Sequence, residues 1–454
     1  MRRELFFDHA LLPSGWASGV RISVVDGTIL SVTEGAMREG AECIPGIAIP
    51  GLPNLHCHAF QRGMAGLAER RSSGADSFWS WREVMYRFLA RLSPDDVQAI
   101  TAFAYMQMLE AGFTTVGEFH YLHHDIDGRP YADLGEMAAR IAAASAETRI
   151  GLTLLPSFYA CGGFGGAPPA AGQRRFLNDP DRFLKLIERT RAIMAGLPEA
   201  RVGIAPHSLR AVTPKTLRIV CQATPDGPIH IHAAEQMKEV DESLAALGCR
   251  PVEWLLDNAE INSRWCVIHA THTTETEICA LAASGAAVGL CPLTEASLGD
   301  GIFDGADYLA AGGRFGVGTD SNIQIDAAAE LRQLEYEQRL ARRARNVMTI
   351  QEGESTGRRL FASALAGGAQ ALQQPIGALV PGLRADIALL DETCPDLASR
   401  HGDEWLDTWI FVAGRTAVKT VLAGGEIVVE AGRHRMQSAI EARYKMVIAN
   451  LLAT

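Results

Sequence analysis

The sequence predicts an α/β protein: a (β/α)8 TIM-like barrel with a small β-sandwich domain formed by its N- and C-terminal segments. Three observations lead there. From about residue 49 to 375, eight short apolar runs alternate with segments of helical texture, as in strand–helix units that close into a barrel. At 1–48 and 376–435 that texture gives way to short strands and turns. Finally, histidines and carboxylates fall where the predicted strands end, the face on which such barrels carry their sites. A doubly wound open sheet is the competing architecture, but the chain shows no G-x-G-x-x-G turn.

Bulk properties agree with two units. At 454 residues the chain is long for a single core. Hydrophobic residues make up 48% and charged residues 21%, an ordinary globular balance. A formal charge of −11 with no basic block argues against nucleic acid as a partner. Nine widely spaced cysteines do not form a disulfide framework, and Cys57, Cys266 and Cys291 lie in apolar runs that suggest buried thiols. Glu4 and Asp8 interrupt any signal core near the start. No uncharged apolar run approaches the roughly 20 residues of a bilayer span, so a cytoplasmic chain with no membrane partner is expected.

In the N-terminal segment V-R-I-S-V-V (20–25) alternates, Asp26-Gly27 signals a hairpin, and 28–32 resumes a strand. The first barrel strand is expected within the apolar run 44–55. A helix over 93–111 follows. Ser93 can cap it, Pro94 suits its first turn, Asp95 and Asp96 favour its positive end, and Val97, Ile100, Ala104, Met108 and Ala111 form one stripe. Further strands are predicted at 113–119, 150–156, 201–206, 228–232, 265–269, 286–290 and 314–319. Beyond 376 the runs 385–390, 420–422 and 426–429 read as strands able to pair with the N-terminal segment, and 436–454 as a closing helix.

The chemistry begins with G-L-P-N-L-H-C-H from Gly51. Side chains two apart on a strand point to one side, so His56 and His58 could grip one ion. His-x-His is common, and the case depends on distant ligands. The fifth strand ends in P-I-H-I-H-A-A-E, offering His232 and Glu235. The sixth ends in C-V-I-H, offering His269, and the eighth in V-G-T-D-S, offering Asp320. Such a set suits zinc or iron(II). A buried core histidine explains any one of them, but poorly explains their coincidence at strand ends. His230 is expected one layer deeper; His123, His124 and His272 read as structural or surface residues.

On these motifs the chain resembles the amidohydrolase superfamily, in its metal-dependent deaminase branch. The matching pieces are P-G-L-P-N-L-H-C-H, H-A-A-E, V-I-H-A-T-H, L-C-P-L-T-E-A-S-L-G-D-G, G-T-D-S and, in the flanking β-domain, P-G-L-R-A-D-I-A-L-L-D. Longer blocks resemble a narrower group that acts on N-formimino-L-glutamate in histidine degradation: H-A-F-Q-R-G-M-A-G-L-A-E from His58, D-S-F-W-S-W-R-E-V-M-Y from Asp76, E-F-H-Y-L-H-H-D from Glu118 and H-S-L-R-A-V-T-P from His207. The resemblance implies one divalent ion, zinc before Fe(II), held by His56, His58, His232 and Asp320. Asp320 and Glu235 would move protons, His269 would orient the water or stabilise the tetrahedral intermediate, and activated water would attack the formimino carbon. The fourth strand ends in A-P-H-S without the lysine that bridges two metals in binuclear relatives.

The implied substrate is a small dicarboxylate, and arginine binds carboxylate as a planar fork. The resemblance assigns Arg82 and Arg210 to its carboxylates, with Gln61, Tyr121 and His207 beside them. Arg62, Arg70 and Arg71 are alternatives, and Trp79 and Trp81 could wall the pocket or pack in the core. A homodimer is implied by the resemblance alone. Two other readings stay open: a deaminase of an aromatic base or nucleoside, which would want stacking aromatics and few arginines, and a non-catalytic scaffold, which would be expected to have lost ligands.

Overall fold

The computed structural model describes residues 2–453. Eight parallel strands form the central barrel: Leu52–Cys57, Phe113–His120, Gly151–Phe158, the broken fourth strand Arg201–Val202 with Ala205–Pro206, then Ile229–Ala233, Trp265–His269, Ala287–Leu290 and Arg314–Val317. Hydrogen bonding links the first four and the last four as two ladders. Single bridges join them into a ring, Ile204 to Ile229 and Ser208 to His232 on one side, Cys57 to Asp320 on the other. Gly318 lets that last seam close, because a Cβ there would lie 2.7 Å from the His56 carbonyl oxygen.

The connecting helices carry the expected signals. Pro94–Glu110 starts where Ser93 Oγ accepts the Asp96 N–H at 3.2 Å and Asp96 accepts the Ser93 N–H at 3.0 Å, a reciprocal cap. After the eighth strand, helix Thr356–Leu372 reaches under the barrel. His230 Nε2 bonds the Ala371 carbonyl at 2.8 Å and Thr153 donates to that of Leu372 at 3.0 Å, so His230 belongs to the floor. His123 and His124 likewise bond the carbonyls of Ser157 and Leu177.

The run expected as a single first strand is two. Ile47–Pro50 pairs antiparallel with Ile387–Leu390 and parallel with Arg2–Leu12, and only Leu52–Cys57 enters the barrel. The chain crosses at Gly51, where a Cβ would sit 2.2 Å from the Thr114 side chain. The small layer is one nine-stranded sheet built from both ends of the chain. It curls over its own apolar face, where Leu5, Phe7, Val20, Ile22, Ile387 and Leu389 are buried together, while Ile47, Ile49, Ala388 and Leu390 pack on the barrel side. Its edge returns to the chain before Ile387–Leu390, with the Ile29 N–H donating to Leu383 at 2.8 Å. Helix Gln437–Leu452 lies on Pro94–Glu110, with Tyr444 stacked on Phe103 at 3.9 Å. All nine cysteines are free, and no helix among the described residues is long and apolar enough to cross a membrane.

Candidate metal centre and active site

His56, His58 and His232 meet at the C-terminal mouth of the barrel, their ligating nitrogens within 4.8 Å of one another. His56 Nε2 and His232 Nε2 are 3.2 Å apart, and Asp320 Oδ1 stands 3.4 Å from the Nε2 of both His56 and His58. Two ligands at 2.0–2.1 Å from a tetrahedral zinc lie roughly 3.3 Å apart, so these separations fit one shared ion. The tautomers fit too. His58 Nδ1 bonds the Phe119 carbonyl at 2.7 Å and His232 Nδ1 that of His207 at 2.9 Å, leaving each Nε2 lone pair aimed at the centre. Burial pulls His56 down to about 3 and also lowers His58 and His232, favouring the neutral imidazoles a metal requires. Burial would raise Asp320, but the His56 contact and the neighbouring imidazoles outweigh it and hold its carboxyl well below the usual range.

Beside this group, His269 Nε2 lies 3.7 Å from Glu235 Oε1 and 3.9 Å from Asp320 Oδ2. Its Nδ1 meets Glu295 Oε1 at 3.0 Å. Burial alone would depress His269, but Glu235, Glu295 and Asp320 lift it to about 10. Burial raises the Glu235 carboxyl. His269 and Asp320 adopt φ of 68° and 43°, left-handed conformations that cost on the order of 1–3 kcal/mol and cluster at functional sites.

The mouth opens into a cleft of ≈ 590 Å³, counted out to solvent, whose lining includes Gln61, Arg82, Tyr121, His207 and Arg210. Gln61 Nε2 donates to the Tyr121 hydroxyl at 2.6 Å and its Oε1 is buried without a partner. Arg210 reaches Glu235 at 3.5 Å and Glu239 at 3.9 Å. Arg82 Nε and Arg210 Nε are both buried and unpaired. Thus Gln61, Arg82, Tyr121, His207 and Arg210 share one cavity with His58, His232, Glu235, His269 and Asp320. Arg62 does not: its guanidinium is committed to Gln107 and to the carbonyls of Asn322 and Ile323. Arg70 and Arg71 are exposed outside the cleft. Trp81 lines the cleft, whereas Trp79 lies against the two arginines.

Sequence reasoning missed Glu295, Glu239 and Tyr159. Glu295 stands in the quoted L-C-P-L-T-E block without a role, and Tyr159, which lines the cleft, directly follows the third strand, an end left without a candidate. Only Glu239 gave no signal, since its contact with Arg210 crosses between two barrel connections.

Comparison with known proteins places this geometry. Residues 47–428 match the amidohydrolase family, and residues 3–43 match the N-terminal domain of formimidoylglutamate deiminase HutF. The formimidoylglutamate deiminase of Pseudomonas aeruginosa is 49% identical over 99% of this chain and 99% of its own. A crystal structure of an amidohydrolase from Brucella melitensis, 51% identical, superposes with a TM-score of 0.95 over 99% of this chain and 100% of that one. An adenosine deaminase from Xanthomonas campestris with bound zinc shares the fold at 20% identity, TM-score 0.81, over 99% and 98% of the two chains. The chain belongs to the metal-dependent amidohydrolase family, and within it to the formimidoylglutamate deiminases.

Proposed function

We propose that the chain hydrolyses N-formimino-L-glutamate to N-formyl-L-glutamate and ammonia in histidine degradation, using one divalent ion, zinc or Fe(II). The observation that carries this reading is the pairing, in one cleft, of the histidine–aspartate group with two arginines that keep buried, unpaired N–H donors. A nucleobase carries no carboxylate to pair with either guanidinium, whereas a substrate with two carboxylates can engage both.

His56, His58, His232 and Asp320 would hold the ion, which when bound supplies Lewis acidity that brings a water's pKa towards neutrality. Asp320, kept ionised, accepts a proton as water adds to the formimino carbon. Glu235, its carboxyl raised by burial, gives its proton to the formimino nitrogen as water adds. It then takes back the adduct's hydroxyl proton while Asp320 passes its own to that nitrogen, so the C–N bond breaks, ammonia leaves and the formyl C=O forms. His269, cationic between Glu235 and Glu295, donates to the oxygen on which charge develops. Arg82 and Arg210 take the carboxylates, and Gln61, Tyr121 and His207 line the intervening wall.

Ammonia release against a substrate panel tests this. We expect kcat/KM for N-formimino-L-glutamate to exceed that for guanine or adenosine by about 10³ or more, a margin charged-group recognition can supply. Turnover of a nucleobase but not of the formimino amino acid would overturn it.

A further inference from the structure

Trp79 gathers three cations around one indole ring. The Arg82 guanidinium carbon lies 4.5 Å from the ring centroid, Lys238 Nζ 5.0 Å and the Arg210 guanidinium carbon 5.6 Å. They come from three places in the chain. Arg82 lies on the helix Phe78–Leu89 that also carries Trp79, Arg210 follows the fourth strand, and Lys238 sits on helix Met237–Leu247. Acids compensate two of them: Lys238 pairs with Glu242, and Arg210 lies near Glu235 and Glu239. Arg82 has no such partner among the described residues. Its Nε is buried without a hydrogen bond, and its contacts are the faces of Trp79 and of Tyr86, 5.5 Å away.

Two guanidiniums converging on a ligand's position repel one another, and a flexible arginine with no acid to hold it would spread over many rotamers. An acid placed to hold Arg82 would also occupy the N–H fork meant for a carboxylate. An aromatic face does not, because it attracts the cation through the ring quadrupole and leaves the in-plane donors free. We propose that Trp79 is a positioning residue for substrate carboxylates, its indole holding Arg82 towards the cleft with its N–H fork unspent while it also lies against Arg210. This rests on the reading that the two arginines bind a dicarboxylate.

The test is steady-state ammonia release from N-formimino-L-glutamate by the parent enzyme, Trp79→Leu, Trp79→Phe, Arg82→Met and Trp79→Leu combined with Arg82→Met. The expected result for Trp79→Leu is a KM raised about three- to thirty-fold, the range of a partly desolvated cation–π contact, with kcat changed far less. Trp79→Phe, which keeps a smaller ring, should fall between. In the Arg82→Met background the Trp79→Leu change should add much less than it does alone. Equal KM effects in both backgrounds, or a loss confined to kcat, would overturn the proposal. If Trp79→Leu does not fold, Trp79→Phe decides: an unchanged KM overturns the proposal and a raised KM supports it. A parent enzyme inactive on this substrate would instead refute the dicarboxylate reading before any variant is compared.

Discussion

Asp320 is joined to His56 twice: its N–H donates to the His56 carbonyl at 3.0 Å, and its Oδ1 stands 3.4 Å from His56 Nε2. The His58 N–H in turn donates to the Asp320 carbonyl at 2.9 Å. The seam that closes the barrel is therefore made by the candidate ligands themselves, and their geometry follows from strand pairing.

Asn322 braces that seam, its amide donating to the carbonyls of His58 at 3.1 Å and Asp320 at 2.9 Å. Asn322→Ala should lower the thermal midpoint and weaken metal affinity by about 10- to 100-fold, as loss of an outer-shell support does. Calorimetry and metal competition measure both. A variant that binds the ion as tightly as its parent would show the brace to be idle.

Glu235 is assigned to proton transfer and not to the ion. Glu235→Gln should cut kcat by about 10²–10⁴-fold while metal content stays at the parental level. Loss of the ion along with the activity would move Glu235 into the ligand set.

The two arginines should differ. Arg82 touches no catalytic group, so Arg82→Met should raise KM by about tenfold or more, the scale of one charged hydrogen bond, and largely spare kcat. Arg210 lies 3.5 Å from Glu235, so Arg210→Met should raise KM and lower kcat together. Identical kinetic signatures would contradict this division.

Glu337 is one of the buried carboxyls that make stability depend on pH. Burial, with Glu295 nearby, pushes Glu337 up to about 8, against about 4.3 in an unfolded chain. Because the folded value is the higher, its contribution is whole below about pH 4 and is lost as pH rises through 8. Glu337→Gln should therefore gain thermal stability over the parent at pH 9 and not at pH 5. An equal shift at both pH values would assign the effect to packing.

Barrel strands were legible because each is a short apolar run bounded by turn residues, and the residues gathered at the mouth were legible because strand ends point there. The break at Gly51 was not. Residues 44–55 read as one apolar run, and only pairing with Ile387–Leu390, far along the chain, separates its halves. Arg62 sits in the same block as Gln61, yet turns away to bond backbone carbonyls, a choice sequence proximity does not encode. Glu239 acts through a contact between separate barrel connections, which no local spacing reveals.

The most direct test of the central claim is to strip the protein with a chelator, add zinc back stepwise, and follow ammonia release from N-formimino-L-glutamate. Activity should rise in proportion to zinc and level off at about one equivalent per chain, as a single shared ion requires. A plateau at about two equivalents, or full activity in the stripped protein, would contradict the account.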